Sequence, residues 1–280
     1  MSTAEAQRHE GGYALARTPE EYERLRAQAR VWESATGRLL DQVGLAVGAA
    51  CLDAGSGPGE TMRMMAQRVG PAGRVVGIDV DGALGATALA ALHAAGHRHC
   101  RFHRHDLTVD APIPGAPFDV VYARLVLLHL PERAAVLARL WNAVRPGGHV
   151  VVQEYDMRTL GVLPALASVD EMVRVMNGAF TAAGCDVQVG ARLPELFTQA
   201  GIGPPDGTDV AGRLESLARG AVMLERTFRN VLPAAVAHGV TTDADAADTL
   251  AATEDDARRF AERPLLWPLL IGAWKRKAQS

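Results

Sequence analysis

The sequence has few of the residues that build disulfide frameworks or base-stacking surfaces. Its three cysteines, Cys51, Cys100 and Cys185, are far apart and lack the paired spacing of a zinc site or a disulfide scaffold. Aromatic residues make up 5% of the chain, and the net charge is −3. Neither property favours a nucleic-acid partner. We therefore expect a protein of the reducing cytoplasm that does not bind nucleic acid.

Long apolar runs and a secretory leader are also missing. Residues 1–16 are polar and include acidic side chains, unlike a signal peptide. The apolar run at residues 264–274 is short and contains Pro264 and Pro268, so it does not predict a transmembrane helix. We expect no membrane partner, and 280 residues suffice for one large domain or for a domain with an inserted lid.

Apolar segments and segments of helical periodicity alternate from residue 50 onward. This alternation predicts an α/β fold with a parallel sheet and helices on both faces. Strands are predicted at residues 51–55, 74–80, 99–107 and 149–156, with another beginning at residue 118.

The two ends of the chain have other patterns. Residues 18–43 predict one helix, with Thr18 as N-cap and Pro19 in its first turn. Beyond residue 157 the pattern is less regular. It predicts helices at 168–184 and 191–202, a strand near 208–215, mostly helix over 216–261 with breaks at Pro233 and Gly239, and a last element of the sheet within 263–277.

Three glycines at every second position follow the first predicted strand, in the stretch CLDAGSGPGE (51–60). Glycines there allow a tight turn and let a ligand approach the backbone amides at the carboxyl end of a parallel sheet. The spacing of Gly55, Gly57 and Gly59 is not the dinucleotide pattern G-x-G-x-x-G, and the loop lacks the Gly-Lys-Ser/Thr ending of a phosphate-binding loop. Glu60 would repel a phosphate. The loop therefore indicates a nucleoside ligand without phosphates.

Two further acidic residues end predicted strands. Asp79 follows Gly59 by twenty residues, where a carboxylate can accept hydrogen bonds from ribose hydroxyls. Asp106 ends the third strand, where it can accept a hydrogen bond from an adenine amine. Leu107 beside it offers apolar contact.

The chain contains five motifs in order: CLDAGSGPGE (51–60), VVGIDVD (75–81), RHDL (104–107), FDVVYARLVLLHL (118–130) and VRPGGHVVVQEYD (144–156). Together they resemble class I S-adenosylmethionine-dependent methyltransferases over roughly residues 40–156. The N-terminal stretch at 13–29 resembles the opening helix of the branch related to quinone C-methyltransferases and bacterial natural-product methyltransferases. The resemblance implies a Rossmann-like, doubly wound, mostly parallel seven-stranded sheet with an N-terminal helix and a helical lid insertion.

The resemblance also implies three parts and a cofactor, S-adenosylmethionine. Residues 1–45 would form a helical cap, residues 46–156 the cofactor-binding core, and residues 157–280 the substrate lid with the last strands of the sheet. Gly55, Ser56 and Gly57 would line the methionine part, and Asp53 would orient the loop or reach the amino group.

The remaining implied contacts follow the later strands and the N-terminal helix. Asp79 would hold the ribose, and Val80, Asp106 and Leu107 would surround the adenine. Arg124 would contact the methionine end or the substrate. The cap would contribute Tyr13, Arg24 and Gln28. Most members of the family need no metal.

Three residues near strand ends are candidates for a general base. His129 precedes Pro131, where it serves either catalysis or packing, and Glu154 and Asp156 end the fifth strand. Tyr155, between them, is expected on the opposite face of the sheet. An amine acceptor, or one already ionised, needs only correct positioning. The choice between a protein base and positioning alone stays open.

The expected substrate is a small, largely apolar metabolite. The loop after the fourth strand lacks the Asn/Asp-Pro-Pro-Tyr/Phe/Trp signature with which this family methylates nucleobase amines and protein amides. The five histidines between residues 93 and 105 have no known metal-ligand spacing. The helices after residue 157 offer methionines and phenylalanines for an apolar lid.

We expect methyl transfer to oxygen, nitrogen or carbon, in secondary metabolism, by a monomer or homodimer. The alternative is an enzyme that uses the bound sulfonium only as a positive charge, for a cyclisation or another non-transfer reaction.

Overall fold

A seven-stranded sheet organises the computed structural model, which describes residues 19–279. Strands β1 to β5 pair in parallel, whereas β10 is antiparallel to both β5 and β7. The spatial order is β3-β2-β1-β4-β5-β10-β7, and β6, β9 and β8 form a second, three-stranded sheet. The predicted α/β fold with a mostly parallel sheet is confirmed. The strands are β1 (Ala50–Ala54), β2 (Arg74–Asp79), β3 (Cys100–Arg104), β4 (Phe118–Arg124), β5 (Val144–Asp156), β6 (Gly161–Val162), β7 (Gly207–Ala211), β8 (Leu214–Ser216), β9 (Pro264–Leu266) and β10 (Leu269–Arg276).

Nine α-helices occur among the described residues. Helices α3, α4 and α5 connect the parallel strands, and α6, α8 and α9 pack against one another beyond β5. The helices are α1 (Pro19–Val31), α2 (Glu33–Gln42), α3 (Glu60–Val69), α4 (Gly82–Ala94), α5 (Arg133–Asn142), α6 (Ala167–Ala182), α7 (Leu193–Gln199), α8 (Leu217–Ala237) and α9 (Asp243–Arg259). Single 3₁₀ turns span Leu127–His129 and Met157–Thr159.

The sheet is buried on both faces, which explains its continuous apolar strands. Along β1, Leu52 and Ala54 belong to one core cluster, whereas Cys51 belongs to another. Successive side chains of a strand point to opposite faces, so the two clusters lie on the two sides of the sheet. Asp53 is also buried within this apolar strand. A carboxyl group in that position needs a structural or functional reason.

Three predicted elements differ from the structure. The single N-terminal helix is divided at Trp32, whose buried indole Nε1 donates to the Tyr155 hydroxyl at 2.5 Å. Helix α8 continues through Pro233, which lies on an exposed helix face where water can satisfy the carbonyl left without a donor. The strand expected near 208–215 is two strands, because the chain leaves the main sheet after Ala211 and joins the small one at Leu214.

Other expectations concern membranes and the ends of the chain. Within residues 19–279, no helix combines the length and apolar character that crossing a membrane requires.

The three cysteines are buried and free. Thr18, the predicted N-cap, lies outside the described residues. The division into cap, core and lid stays a prediction.

The backbone of β5 leaves no room for a side chain at Gly190. A Cβ atom there would lie 2.5 Å from the carbonyl oxygen of Glu154 and 2.8 Å from that of Tyr155. We expect Gly190→Ala to lower the free energy of unfolding by about 1–3 kcal/mol in urea denaturation. Gly161→Ala is the matched control, since no atom lies within 4 Å of a Cβ at Gly161. Equal unfolding midpoints for the two variants would contradict this packing.

Candidate active site

One large cavity opens where the carboxyl ends of β1, β2, β4 and β5 meet. Its volume is about 640 Å³, and α1, α6 and α8 complete its walls. In open parallel sheets this edge is where ligands bind, since the loops that follow the strands converge there. The cavity therefore coincides with the place that the glycine pattern predicts.

The glycine loop after β1 forms one wall of the cavity. Gly55, Gly57 and Gly59 have φ values of 70°, 47° and 80°, in the left-handed region that favours glycine. A Cβ on Gly55 would lie 2.3 Å from Val126 Cγ2, so the loop after β4 packs directly on the glycine. A Cβ on Gly57 would meet nothing within 4 Å. Gly57 thus presents bare backbone to open cavity.

Two polar side chains of this wall are buried with unused hydrogen-bonding capacity. Asp53 is 2% exposed, and its Oδ2 has no hydrogen-bond partner among the described residues. The hydroxyl of Ser56 is also buried and without a partner there. Desolvation raises the pKa of Asp53 to about 7; Asp79 adds to this rise, and Arg124 opposes it. Both groups line the cavity, where a ligand can satisfy them.

Asp79 links the glycine loop to the end of β2. Its Oδ2 accepts a hydrogen bond from the Gly57 backbone N–H at 2.9 Å, and its Oδ1 accepts one from the N–H of Asp81, also at 2.9 Å. Each carboxylate oxygen has a second lone pair, so Asp79 can still accept from a ligand hydroxyl. Asp81 caps α4 and accepts from the Tyr22 hydroxyl at 2.6 Å.

The residues predicted to surround adenine lie on the same cavity. Val80, Asp106 and Leu107 line it. Asp106 Oδ1 accepts from the backbone N–H and the hydroxyl of Thr108, at 2.8 and 2.6 Å. These bonds fix the orientation of the carboxylate beside Leu107.

A tight turn follows β4 and brings a second loop to the cavity. Arg124 lines the cavity and donates from Nη1 to Thr36 Oγ1 at 2.9 Å. Leu125 has a φ of 56°, which is rare for a residue with a side chain. Glu154 Oε1 accepts from the backbone N–H groups of Val126 and Leu127, at 2.9 and 2.7 Å. Glu154 thus fixes the position of this turn by accepting hydrogen bonds from its backbone.

Side chains of helix α1 and of Trp32, which follows it, form a chain of hydrogen bonds that ends at Tyr155. Arg24 is 4% exposed, and its Nη1 donates to Gln28 Oε1 at 3.0 Å. Gln28 Nε2 donates to the Tyr155 hydroxyl at 3.1 Å, and Trp32 Nε1 donates to the same oxygen at 2.5 Å. All four side chains line the cavity.

His129 lies on the cavity wall, within the 3₁₀ turn after β4. Desolvation lowers the pKa of its imidazole to about 4, and the charges of Arg24 and Arg133 contribute to the lowering. The ring is therefore neutral at pH 7. Its Nδ1 lies 3.6 Å from Cys185 Sγ.

The cavity beyond β5 is lined mainly by apolar side chains. They come from the end of β5, from α6 and α8, and from the link between β9 and β10. Methionines among them supply an adaptable surface. The residues are Met157, Leu160, Met176, Phe180, Met223, Leu224, Trp267 and Pro268.

The structure brings most of the predicted site residues to this cavity. Tyr13 lies outside the described residues. Of the predicted bases only His129 lines the cavity. Glu154 is turned beneath the β4 loop, and Asp156 caps the following 3₁₀ turn and pairs with Arg158 at 2.7 Å. The cavity-lining predicted residues are Arg24, Gln28, Asp53, Gly55, Ser56, Gly57, Asp79, Val80, Asp106, Leu107, Arg124 and His129. Their individual roles stay predictions.

Several residues of the cavity were not predicted from the sequence. Tyr155 does alternate with Glu154 and Asp156 along β5, but Tyr155 lies on the side that faces the cavity. Tyr22 and Trp32 reach the site through hydrogen bonds to Asp81 and Tyr155, contacts between distant segments that no local pattern indicates. Asp81 could have been found from the sequence, since an aspartate just before the helix that follows β2 is typical of an N-cap.

No cluster of three or more histidine, cysteine, aspartate or glutamate side chains in residues 19–279 is arranged to hold a metal. His97 and His99 contact each other edge to face, with ring centroids 6.0 Å apart. His105 is the one histidine of the 93–105 group that lines the cavity.

The buried Glu154 makes stability depend on pH. Desolvation raises its pKa from 4.5 to about 8, although its backbone hydrogen bonds and Arg133 oppose the shift. The unfolded chain ionises first, so stability falls as pH rises from about 5 to about 8, by at most about 4 kcal/mol from this residue. Glu154→Gln mimics the protonated acid and should remove this contribution, measured by urea denaturation at both pH values.

Glu171→Gln is the surface control. A hydrogen bond from Arg174 holds the pKa of Glu171 below its usual value, so this replacement should lower stability at neutral pH. The Glu154 assignment fails if its glutamine variant gains no stability relative to wild type between the two pH values.

Comparison with known proteins agrees with this geometry. Residues 51–148 match the family model of a methyltransferase domain. The chain is 36% identical to a trans-aconitate 2-methyltransferase of Variovorax paradoxus over 43% of its length and 44% of that protein. It is 38% identical to the nocamycin O-methyltransferase of Saccharothrix syringae over 40% of each chain. The match thus spans less than half the length of these relatives.

A solved structure shares the fold over a longer region. It is phosphoethanolamine N-methyltransferase 2 of Haemonchus contortus, in complex with phosphomonomethylethanolamine and S-adenosylhomocysteine. The TM-score is 0.51 at 18% identity, over 88% of this chain and 53% of that one. The family match thus covers residues 51–148, which are similar to a methyltransferase domain and include the glycine loop and the ends of β1 to β4.

Proposed function

We propose that this protein transfers a methyl group from S-adenosylmethionine to a small, largely apolar molecule. The observation that carries the proposal is the wall formed by the glycine loop. It combines open space at Gly57 with the unused polar atoms of Asp53 and Ser56. These groups suit the methionine part of the cofactor, whose ammonium can donate to a buried carboxylate.

Other residues of the cavity fit the nucleoside part. Asp79 retains acceptor capacity for ribose hydroxyls, and Val80, Asp106 and Leu107 offer apolar and polar contacts for adenine. When bound, the cofactor supplies a methyl group activated by its positively charged sulfur. Glu60, at the start of α3, also fits a ligand that carries no phosphate.

The residues of the protein would bind and orient the acceptor and exclude water from it. The apolar side chains beyond β5 can hold an acceptor and keep water from it. Alignment of the acceptor with the methyl carbon supplies much of the rate in such reactions. The names of the relatives, trans-aconitate 2-methyltransferase and nocamycin O-methyltransferase, designate small-molecule acceptors and support a small-molecule acceptor here.

The proton chemistry of the site is limited by the groups on the cavity wall. Neutral His129 can accept a proton at pH 7, but its pKa of about 4 makes it a weak base. Glu154 and Asp156 do not line the cavity, so we do not assign either of them contact with the acceptor. A role in secondary metabolism, a cytoplasmic location and a monomeric or dimeric state are proposed on the sequence alone.

The first test is cofactor binding by calorimetric titration. S-adenosylmethionine and S-adenosylhomocysteine should bind, and NAD should not. Gly57→Val should weaken this binding by about 1–3 kcal/mol or more, because the added side chain projects into the cavity. Gly44→Val is the control, since Gly44 also has positive φ and open space but lies off the cavity. Binding of NAD alone, or equal losses in both variants, would refute the assigned site.

The second test is the mass of the product. Incubation with S-adenosylmethionine and a panel of small apolar acceptors should yield a product heavier by one methylene group, together with S-adenosylhomocysteine. An isomerised or cyclised acceptor of unchanged mass, with no S-adenosylhomocysteine formed, would instead support the non-transfer alternative.

A further inference from the structure

One arginine on the cavity wall has most of its hydrogen-bonding capacity unused. Within residues 19–279, the guanidinium of Arg124 donates to Thr36 Oγ1 alone and forms no ion pair. A guanidinium carries several N–H donors and stays charged at every physiological pH. Since Arg124 is half-buried and lines the cavity, its remaining donors suit an anionic group of a ligand.

Thr36 fixes one side of this guanidinium. A guanidinium can only donate, so the Thr36 oxygen must accept at this contact of 2.9 Å. The single proton of the Thr36 hydroxyl is then left for its other partner, Gln153 Oε1, at 2.8 Å. The Tyr122 hydroxyl donates to the same amide oxygen. The hydroxyl of Thr36 therefore links Arg124 to the sheet in one defined direction.

The groups behind Arg124 are buried, and one of them is incompletely paired. Thr36, Tyr122 and Gln153 are each 0% exposed. Gln153 Nε2 is buried and has no hydrogen-bond partner among the described residues. Burying an amide nitrogen in this way is unfavourable, so the position of the amide needs a reason. The geometry offers one, because the amide oxygen holds Thr36 and, through it, Arg124.

Helix α2 is brought close to the sheet at this point. Gly272 of β10 is the register partner of Gln153 on β5. A Cβ atom on Gly272 would lie 2.5 Å from Leu39 Cδ1, so the glycine makes room for α2. Thr36 precedes Leu39 by about one turn of the same helix. The packing of α2 thus carries the Thr36 hydroxyl to Gln153.

The place of Arg124 in the cavity indicates which anion it meets. The sheet order puts β4, which ends at Arg124, between two ends of the cavity. Carboxylates near the ends of β1 to β3 form one end, and apolar side chains beyond β5 form the other. Arg124 is close enough to Asp53 for its charge to oppose the rise in the pKa of that carboxyl. A carboxylate and a guanidinium near each other suit a zwitterion, and the methionine part of the cofactor is one.

We propose that Thr36 is a positioning residue, whose hydroxyl, held by Gln153, orients Arg124 to bind the carboxylate of the methionine part of the cofactor. This inference rests on the proposed function, in which Asp53 accepts from the ammonium of the same methionine part. Thr36 does not line the cavity. It would therefore affect cofactor affinity only through Arg124.

The carboxylate is tested with two ligands that differ in that group alone. S-adenosylhomocysteine carries it, and S-adenosyl-3-thiopropylamine is the same molecule without it. Wild-type protein should bind S-adenosylhomocysteine at least about tenfold more tightly than the amine in calorimetric titration, the gain expected of a charged hydrogen bond. Arg124→Met should reduce this preference to less than about twofold. Equal binding of both ligands by wild-type protein, or an undiminished preference in Arg124→Met, would overturn the proposal.

The role of Thr36 is tested by removing its hydroxyl alone. Thr36→Val should weaken the binding of S-adenosylhomocysteine by about fivefold or more, and that of the amine by less than about twofold. Thr36→Ser keeps a hydroxyl and should retain the wild-type preference. Thr253→Val is the matched control and should also retain it. Thr253 is a buried helical threonine whose hydroxyl donates to the Thr249 carbonyl, and it does not line the cavity.

A double variant separates positioning from a general structural effect. Once Arg124→Met has removed the positioned group, adding Thr36→Val should change the affinity for S-adenosylhomocysteine by less than about twofold. Thr36→Ala carries the same expectations and replaces the valine variant if that protein does not fold. Equal weakening of both ligands by loss of the hydroxyl, or a full further loss in the double variant, would overturn the positioning role. Failure of wild-type protein to bind either ligand would instead contradict the proposed function.

Discussion

The close packing of Gly55 against Val126 is the contact on which the cavity depends. It joins the loop after β1 to the loop after β4, two neighbouring parallel strands. A side chain at Gly55 would separate the loops, and the wall that carries Gly57 would move with them. Asp79 restrains the glycine loop from one side, and Glu154 restrains the turn after β4 from the other. The two carboxyl groups make these contacts through backbone amides, so the restraint does not depend on neighbouring side chains.

This arrangement buries polar groups whose hydrogen bonding is incomplete, which is energetically unfavourable. Asp53 and Glu154 each have one carboxyl oxygen without a partner among the described residues, and burial raises the pKa of both. The two carboxyl groups differ in their access to a ligand. Asp53 lines the cavity, where a bound molecule can complete its hydrogen bonding. Glu154 does not line it, and its role is to hold backbone.

The two ends of the cavity result from the order of the strands. The carboxylates near the carboxyl ends of β1 to β3 suit a polar, hydroxyl-rich and cationic ligand. The segments beyond β5 bring methionines, phenylalanine and tryptophan, and α1 adds Arg24 and the donors around Tyr155. A single cavity can therefore hold two molecules of different character side by side. The proposed methyl transfer requires this arrangement.

The sequence by itself determined the α/β alternation, the glycine loop and the acids at the end of β2 and just after β3. These features depend on local patterns: apolar periodicity, glycine spacing and position relative to a strand end. The tertiary structure alone decided that Tyr155 faces the cavity while Glu154 holds backbone, since alternation along β5 does not say which face is which. It also decided that Trp32 and Gln28 reach Tyr155, more than 120 residues away along the chain. Such contacts depend on packing between segments that are distant in the sequence, which local patterns do not encode.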